Sequence, residues 1–526
     1  MNTLTTTPES WNLTKPAVVS SGGIVTSQHV LASQVGADVL AQGGNAVDAA
    51  VATGLAVGTV EPWMSGIGGC GYMVAYSASE HKSYSVEFGV KASQSVDPSV
   101  YKVVGNIGVD LFEWPAVEND LNIFGPKSIC VPGTVAGLAR ALEEFGTFDW
   151  SDVMGPATQM AEHGMEVDWY TTLKIASEAR RLSHFEHSRD VFTPDGHTPV
   201  GEWAGPLPSI RIGELARTMR RLASAGPEDF YKGEIAARIV ADSEQLGIPL
   251  TAEDLASYEP HLTEVERSMY RGSEIDVVPG LTAGPTLEYA LEVLAETLRP
   301  GADRPDAQAY LAYVRCLYDA YDHRLAYIGD VPDSGPSPHT THINVVDRKG
   351  NLVALTMTLL SLFGSKVTLP STGIVMNNGM MWFDPRPDRP NSIAPGKRPL
   401  SNMCPVVMIR GDGHRFAIGA SGGRRIMPAV FQLVSFLTDY NMSIDEAIHQ
   451  PRLDVSGTEL VTLDSQLPPD IVAAVTSAHQ SRVRPNGVYP NLFACPSMVG
   501  HDPSVGYNAG AAFIASPRAA AIAEKN

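Results

Sequence analysis

The sequence PHTTHINVVDRKGNLVALTMT, residues 338–358, predicts a β-hairpin. Its two apolar runs, THINVV and LVALTMT, flank four turn-forming residues, Asp347, Lys349, Gly350 and Asn351. If the turn centres on Lys349, the numbers of opposed residues add up to 698, and Thr340 faces Thr358. Directly opposed residues in antiparallel strands have Cβ atoms about 4.5–5.5 Å apart. We therefore expect the two threonine hydroxyls to lie within hydrogen-bonding range.

Thr340 is a candidate nucleophile because of the segment that precedes it. Residues 329–339, GDVPDSGPSPH, hold three prolines and two glycines and are expected to form an exposed loop. A threonine hydroxyl needs a nearby base. Cleavage between His339 and Thr340 would free an α-amino group, whose ordinary pKa of about 7.7–8.0 suits base catalysis near neutral pH. The alternative is that a Thr-Thr pair at a strand start reflects β-propensity alone.

A second motif, RFAIGASGGRRIMPAVFQLV at residues 415–434, predicts a strand, a glycine turn and a helix. Gly422 and Gly423 would place backbone N–H groups at the helix N-terminus, where an oxyanion is best stabilised. A plain tight turn is the alternative, since glycine serves turns by default.

Elsewhere the patterns predict a mixed chain. Residues 29–60 form two helices broken at Gly43-Gly44, and a hairpin follows from Tyr72 to Phe88. Further helices are expected at residues 132–146, 287–298 and 428–440, and strands at 341–358 and 403–420.

Composition and charge restrict the partners. The chain has 526 residues and a formal net charge of −20, so nucleic acid and anionic membranes are not expected as partners. The N-terminus lacks the basic and apolar regions of a secretory signal, and no stretch approaches the ~20 apolar residues of a membrane span. The five cysteines lack CxxC spacing, which argues against a zinc site or disulfide framework. We expect a cytoplasmic protein without a cofactor or metal.

The chain resembles the γ-glutamyltranspeptidase family over most of its length. The motifs that carry the resemblance are GGNAVDAAVA (43–52), GIGGCGY (66–72), PGTVAG (132–137), TTH (340–342), VDRKGN (346–351), GKRPLSNMCP (396–405) and GASGGRRI (419–426). The resemblance implies an α+β fold, the four-layer αββα sandwich of N-terminal-nucleophile hydrolases. It also implies self-cleavage into a large subunit (1–339) and a small subunit (340–526) that associate as one intertwined domain.

The resemblance also implies roles for individual residues. Thr340 matches the nucleophile, Thr358 the threonine that hydrogen-bonds it, and Gly422 and Gly423 the oxyanion-hole glycines. Ser401 and Asn402 match a serine pair that touches the substrate.

Four positions depart from the transpeptidase pattern. Gly89 stands where an arginine holds the glutamyl α-carboxylate, and Leu360, Gly379 and Trp382 stand where Asn, Gln and Asp hold the α-amino group. A γ-glutamyl group would bury unpaired charges here, at a cost of several kcal/mol.

The resemblance favours a self-processing amidohydrolase acting on a small carboxylate-bearing amide. The stretch 377–405 is similar to the branch that includes oxamate amidohydrolase of purine catabolism, and oxamate suits a narrowed pocket. Arg424 or Arg425 could bind the substrate carboxylate, although a structural ion pair is the alternative. Other hypotheses on the same fold are a γ-glutamyl hydrolase or transpeptidase, a cephalosporin-type acylase, and a non-catalytic binding relative.

Three weaker motifs suggest other chemistry. Residues 419–423 match G-x-S-x-G, which would make Ser421 a nucleophile with Asp464 and His479. The glycines at 66, 68 and 71 match G-x-G-x-x-G but follow a helix and open no helix, against a dinucleotide site. His184 and His187 lack a third ligand for a metal.

Overall fold

The computed structural model describes residues 13–105, 114–327, 339–456 and 460–525, without the side chains of residues 325–327 and 339. Most of the loop expected at residues 329–339 lies outside these ranges. In chain order the helices are α1 (Val30–Ala41), α2 (Ala46–Val60), α3 (Thr134–Phe145), α4 (Trp150–His163), α5 (Trp169–Leu182), α6 (Glu186–Phe192), α7 (Leu215–Ala225), α8 (Asp229–Lys232), α9 (Glu234–Leu246), α10 (Ala252–Ala256), α11 (Gly284–Thr297), α12 (Ala307–Tyr327), α13 (Ile426–Asp439), α14 (Ile444–His449) and α15 (Pro469–Ala478).

The strands alternate with these helices along the chain. In order they are β1 (Val18–Ser20), β2 (Ile24–Ser27), β3 (Cys70–Ser77), β4 (Lys82–Phe88), β5 (Met165–Glu166), β6 (Ser209–Ile210), β7 (His261–Glu264), β8 (Glu266–Tyr270), β9 (Ser273–Val277), β10 (His339–Val346), β11 (Leu352–Leu360), β12 (Val406–Ile409), β13 (Arg415–Ser421), β14 (Leu453–Asp454), β15 (Val461–Asp464), β16 (Ser481–Arg484), β17 (Cys495–Asp502), β18 (Tyr507–Ala511) and β19 (Ala520–Ala523). Each predicted helix and hairpin is present, with ends that differ by a few residues.

Two seven-stranded antiparallel sheets form the centre of the molecule. One has the order β19-β2-β10-β11-β3-β4-β7, and the other has the order β1-β18-β17-β13-β12-β9-β8. β10 and β11 pack on β13 of the opposite sheet, while α1 and α2 cover the outer face of the first sheet and α11 and α13 that of the second. The order of layers is helix, sheet, sheet, helix, which confirms the four-layer αββα sandwich.

The hairpin β10–β11 is buried on both faces because it lies between a helix layer and a sheet layer. Val353, Leu355 and Met357 join the core under the helices, whereas Leu352 and Ala354 join the core between the sheets. This period of two follows from the alternation of side chains along a strand. The apolar residues of the hairpin therefore lie on both faces of the sheet, and its buried polar residues, such as His342 and Asn344, need hydrogen-bond partners inside the protein.

Helix α2 covers β10 and β11 closely because its residues are small. Asn45 caps its N-terminus in a capping box with Asp48, and nearly every residue along the helix is buried. A Cβ atom on Gly54 would lie 2.8 Å from Sδ of Met357, so this glycine sets how near the helix comes to the sheet.

Strands from both sides of the expected cleavage point share each sheet. β10 lies between β2 and β11, and β12 lies between β9 and β13. None of the described helices combines the length and apolar character that crossing a membrane requires.

Candidate active site

The register of β10 and β11 places Thr340 at an irregular position. From Thr341↔Met357 to Val346↔Leu352 the numbers of paired residues add up to 698, as predicted from the turn. Beyond Thr341 the register shifts, and His339 pairs with Leu360. Thr340 therefore faces two residues of β11, Thr358 and Leu359, instead of one. The expected one-to-one pairing of Thr340 with Thr358 is replaced by a β-bulge, a feature common next to active sites.

The bulge arises where β11 turns away at its end. Leu360 has a positive φ of 82°, and its N–H donates to Oγ1 of Thr358 at 2.7 Å. The glycine cluster packs against this end, because a Cβ atom on Gly69 would lie 2.3 Å from the Thr358 carbonyl oxygen. The cluster 66–71 therefore allows the close approach of β3 to β11. Strand β3 begins within the cluster, at Cys70.

Thr340 and Thr358 line the same small cavity. Both are buried, and the cavity has a volume of about 10 Å³, room for one water molecule. Its lining residues come from four parts of the chain: Thr340, Thr358, Leu360, Trp382, Asn402, Met403, Gly423 and Ile426. His339 and Thr340 are consecutive residues of β10, so this is the geometry of the uncut chain. We call this space the nucleophile cavity.

Gly422 and Gly423 connect β13 to α13 in conformations that favour glycine. Their φ angles are 132° and 61°, and a short 3₁₀ turn, Gly423–Arg425, leads into α13. Gly423 lines the nucleophile cavity, whereas Gly422 lies beside Ala494, whose Cα would be 3.0 Å from an added Cβ. The helix start predicted from the sequence therefore faces Thr340, where backbone N–H groups can stabilise an oxyanion.

Asn402 lines the cavity, and Arg324 contacts both Asn402 and its neighbour Ser401. The Arg324 guanidinium donates to the Ser401 carbonyl at 2.7 Å and lies 3.5 Å from Oδ1 of Asn402. It also donates to the Thr282 carbonyl and the Thr286 hydroxyl. Nδ2 of Asn402 is buried and has no hydrogen-bond partner among the described residues, which leaves a donor for a ligand.

The sequence interpretation did not identify Arg324. Burial lowers the pKa of its guanidinium to about 10. The signal was its position on the buried stripe of α12, at helical spacing after Tyr310, Tyr313, Leu317 and Ala320. A charged residue on such a stripe indicates a buried polar contact.

The four positions that depart from the transpeptidase pattern are all buried. A Cβ atom on Gly89 would lie 2.4 Å from the Tyr72 hydroxyl, and one on Gly379 would lie 2.8 Å from Cys130. Neither position can take a larger side chain without repacking. Leu360 and Trp382 line the nucleophile cavity with apolar surface.

Arg424 and Arg425, the candidates for the substrate carboxylate, are not among the residues that line the nucleophile cavity. The Arg424 guanidinium lies over the Tyr321 ring, 5.9 Å from its centroid. Nη1 of Arg425 donates to the Asn491 carbonyl at 3.0 Å. These contacts place Arg424 beside α12 and Arg425 beside the segment before β17.

The Ser421 hydrolase hypothesis is wrong. Nε2 of Gln28 donates to the Ser421 hydroxyl, the Asp464 carboxylate accepts from the Gln466 N–H at 3.0 Å, and His479 packs on Tyr318. Each of the three residues has its own partners, so they do not form a triad.

His184 and His187, the weak metal candidates, occupy different surroundings. His184 packs on Phe124 with ring centroids 5.6 Å apart, while Nε2 of His187 is buried and finds no hydrogen-bond partner in the part of the chain that the structure describes. Within the described ranges, no three His, Cys, Asp or Glu side chains are grouped for a metal ion.

A buried polar network supports the nucleophile strand. His342 contacts the Thr356 hydroxyl and Oδ1 of Asn344, each at 2.8 Å, and Asn344 donates to Ser497 in the opposite sheet at 3.0 Å. Burial lowers the pKa of His342 to about 4, so the ring is neutral near pH 7. Gly419 makes room for it, because a Cβ atom there would lie 2.2 Å from the ring.

Comparisons with known proteins identify relatives of this chain. The family model described as Gamma-glutamyltranspeptidase matches residues 32–335 and 331–491. The Acylase ACY 1 proenzyme of Pseudomonas sp. (strain V22) is 32% identical, covering 89% of this chain and 88% of the relative. The Glutathione hydrolase proenzyme of Bacillus subtilis (strain 168) is 27% identical, covering 89% and 86%. The crystal structure of cephalosporin acylase from Bacillus halodurans superposes with a TM-score of 0.81 at 24% identity, covers both chains fully, and shows the same fold.

Proposed function

Because the chain belongs to the γ-glutamyltranspeptidase family, we propose that it is a self-processing amidohydrolase with Thr340 as its nucleophile. The observation that carries the proposal is the convergence of Thr340, Thr358 and Gly423 on one buried cavity. These groups supply a hydroxyl, a supporting hydroxyl and a backbone oxyanion donor, the set that acyl transfer requires.

Maturation begins when Oγ1 of Thr340 attacks the carbonyl carbon of His339. The peptide nitrogen leaves as the acyl group moves to oxygen, which gives an ester. Water then hydrolyses the ester and frees a carboxylate on His339 and an amine on Thr340. The bulge at Thr340 favours this step because it releases the peptide group from regular strand pairing.

In turnover the freed Thr340 amine accepts the proton of its own hydroxyl, and Oγ1 attacks the substrate amide carbon. The N–H groups at Gly422 and Gly423 stabilise the oxyanion. The leaving amine takes the proton, and water hydrolyses the acyl-enzyme to a carboxylic acid. Thr358 would orient Oγ1 from across the bulge.

The substrate class follows from the wall opposite the nucleophile. Leu360 and Trp382 give this wall an apolar face, and Gly89 and Gly379 have no room for larger side chains. A zwitterionic γ-glutamyl head would lose its hydration there without gaining ionic partners. We therefore favour acylase-type hydrolysis, in which the acyl group lacks an α-amino group. Oxamate, the substrate favoured by the sequence, also lacks an α-amino group, and the names of the relatives point to larger amides.

The experiment combines a denaturing gel with a panel of amides. Processing would divide the 56.2 kDa chain into fragments of about 36 and 20 kDa, in proportion to residues 1–339 and 340–526. Amine or ammonia release is then measured from oxamate, glutamine, glutathione and simple acyl amides. We expect release from acyl amides and little from the γ-glutamyl compounds. An active preparation that consists of the unbroken chain would refute the mechanism.

A further inference from the structure

The nucleophile cavity contains a hydrogen-bond donor that the mechanism proposed for Thr340 does not use. Nδ2 of Asn402 is buried without a hydrogen-bond partner among the described residues, and Asn402 lines the cavity together with Thr340 and Gly423. A buried donor without a partner is costly, and water or a ligand usually satisfies it. Because the cavity has room for one water molecule, a group that reacts at Thr340 displaces this water and lies next to Asn402.

Arg324 determines which end of the Asn402 amide is on the cavity side. A guanidinium can only donate hydrogen bonds, so the amide atom turned toward it is the oxygen. Oδ1 of Asn402 lies 3.5 Å from Nη2 of Arg324, which also donates to the Ser401 carbonyl at 2.7 Å. Arg324 is not among the residues that line the cavity, so the NH₂ group of Asn402 is the end that remains for the cavity.

The backbone on both sides of Asn402 is fixed by the segment that precedes α11. The Ser401 N–H donates to the Leu281 carbonyl at 2.8 Å, and the Ala283 N–H donates to the Met403 carbonyl at 3.0 Å. The Met403 N–H in turn donates to the Ser401 hydroxyl at 3.2 Å. The Asn402 donor is therefore in place before any substrate binds, and it needs no reorganisation during the reaction.

Arg324 is a buried cation that has no carboxylate partner in the part of the chain that the structure describes. Its guanidinium donates to the carbonyls of Thr282 and Ser401 and to the hydroxyl of Thr286. These neutral acceptors fix the guanidinium but do not cancel its charge. Burial lowers the pKa of Arg324 only to about 10, so the side chain is protonated at neutral pH. A positive charge beside the Asn402 oxygen polarises the amide and makes its N–H groups stronger donors.

We infer that the Asn402 amide, held by Arg324, donates a hydrogen bond to the oxyanion that forms when Thr340 attacks an acyl carbon. The inference rests on the proposed function and adds a side-chain donor to the backbone donors of the glycine turn. As Oγ1 of Thr340 bonds to the carbon, an electron pair of the C=O group moves to its oxygen. The pair returns when the C–N bond breaks. Asn402 keeps its protons throughout, and Arg324 is a positioning residue.

Self-cleavage tests this role without a substrate, because the oxyanion then forms on the His339 carbonyl of the same chain. The chain is labelled during cell-free synthesis, and the loss of the 56.2 kDa band is followed on a denaturing gel. Asn402→Asp has the same shape but no donor, and we expect it to slow cleavage about a hundredfold. Arg324→Gln should slow cleavage about tenfold, because the donor stays but loses its orientation. Arg452→Gln is the matched control, since both arginines are 3% exposed and Arg452 does not line the cavity.

A double-mutant cycle shows whether Arg324 acts through Asn402. In the Asn402→Ala background, Arg324→Gln should slow self-cleavage by less than about twofold, because the donor that it positions is already absent. If Arg324→Gln slows cleavage by the same factor in both backgrounds, the positioning role of Arg324 is overturned. Thermal unfolding identifies the variants that fold. If Arg324→Gln does not fold, Arg324→Lys, which keeps the charge but loses the forked geometry, takes its place in the cycle.

Turnover of a neutral amide separates oxyanion stabilisation from substrate binding. Pentanoyl-p-nitroanilide carries no carboxylate, and its hydrolysis is measured per mole of cleaved protein. Asn402→Asp should lower kcat about a hundredfold and change KM by less than about threefold. A loss confined to KM would assign Asn402 to substrate binding and overturn the inference. Unchanged cleavage and turnover in Asn402→Asp would overturn the inference alone, whereas an unchanged protein that neither cuts itself nor hydrolyses any amide would overturn the proposed function as well.

Discussion

The two walls of the nucleophile cavity are built in different ways. The reacting wall combines the ends of β10 and β11 with the start of α13, all fixed by strand pairing or helix geometry. The recognition wall is irregular chain, from the 3₁₀ turn Gly379–Trp382 to the segment at Asn402. Irregular segments accept substitution more readily than paired strands do. A family can therefore keep one reaction and change its substrate on the opposite wall.

The largest expected effect belongs to the nucleophile on the reacting wall. Thr340→Ala removes the attacking hydroxyl, so the chain should remain uncleaved. Its rate of amide hydrolysis should fall by at least about a thousandfold. A denaturing gel and an amide hydrolysis assay measure both effects.

The neighbouring Thr341 provides a matched control. Its buried hydroxyl has no partner within the described ranges, so Thr341→Val should leave processing and activity within about twofold of the unchanged protein. Cleavage of the Thr340→Ala chain into two fragments would show that another residue acts as the nucleophile.

The glycine turn should give the next largest effect. Gly422 has a φ of 132°, and a Cβ atom added by Gly422→Ala would lie against Ala494. The backbone must shift to relieve this contact, which moves the N–H donors away from the oxyanion. Loss of one such donor costs about a hundredfold to a thousandfold in kcat. Gly506→Ala is the control, since Gly506 also has a positive φ, 68°, but stands in an open hairpin turn. If the two variants lose the same activity, the effect is backbone strain rather than lost stabilisation of the oxyanion.

The network under the reacting wall predicts a dependence of stability on pH. The pKa of His342 falls from 6.5 in the unfolded chain to about 4 in the folded protein, so the unfolded state binds a proton first as pH decreases. The free energy of unfolding should therefore decrease by about 3 kcal/mol through this group as the pH falls from 6.5 to 4. Burial also lowers the pKa of His29, to about 3, so this residue too should reduce the free energy of unfolding as the pH falls.

Thermal unfolding at pH 7, 5.5 and 4.5 measures this dependence. His342→Gln should be less stable at pH 7, because it loses buried hydrogen bonds, but its stability should fall less steeply with acid. His163→Gln, at an exposed position, should follow the unchanged protein. Parallel pH curves for the His342→Gln and unchanged proteins would contradict the assignment.

The recognition wall should give the smallest effect and alter preference rather than rate. Trp382→Phe enlarges the nucleophile cavity, so kcat/KM for a bulky acyl amide should rise about fivefold relative to oxamate, an effect of the order expected for a few methylene groups in an apolar pocket. Trp114→Phe is the control, because Trp114 is equally buried but does not line this cavity. An unchanged ratio would indicate that Trp382 does not limit substrate size.

The sequence predicted the reacting wall better than the recognition wall. Turn chemistry and a period of two fixed the register of β10 and β11 from Thr341 to Val346, because both are local properties. The bulge at Thr340 depends on how Leu360 turns against β3 and could not be read from the hairpin alone. Arg324 reaches Ser401 from a helix 77 positions earlier in the chain, a contact that only the tertiary fold creates.

The expected carboxylate contact shows why the position of a charge in a site is hard to infer from the sequence. The sequence placed the carboxylate contact at Arg424 or Arg425, which lie next to the glycine turn in the chain but do not line the nucleophile cavity. Proximity in sequence to a reacting group therefore does not establish that a side chain faces it.

The interleaving of strands from residues 1–339 and 340–526 has a consequence for the lifetime of the protein. A cut before Thr340 leaves β10 in the middle of a sheet, held by neighbours from both fragments. After unfolding, such a molecule consists of two separate polypeptides. Its refolding is then a bimolecular reaction, whose rate falls on dilution. After maturation, the lifetime of the folded protein would therefore depend on the activation barrier to unfolding and no longer on a reversible folding equilibrium.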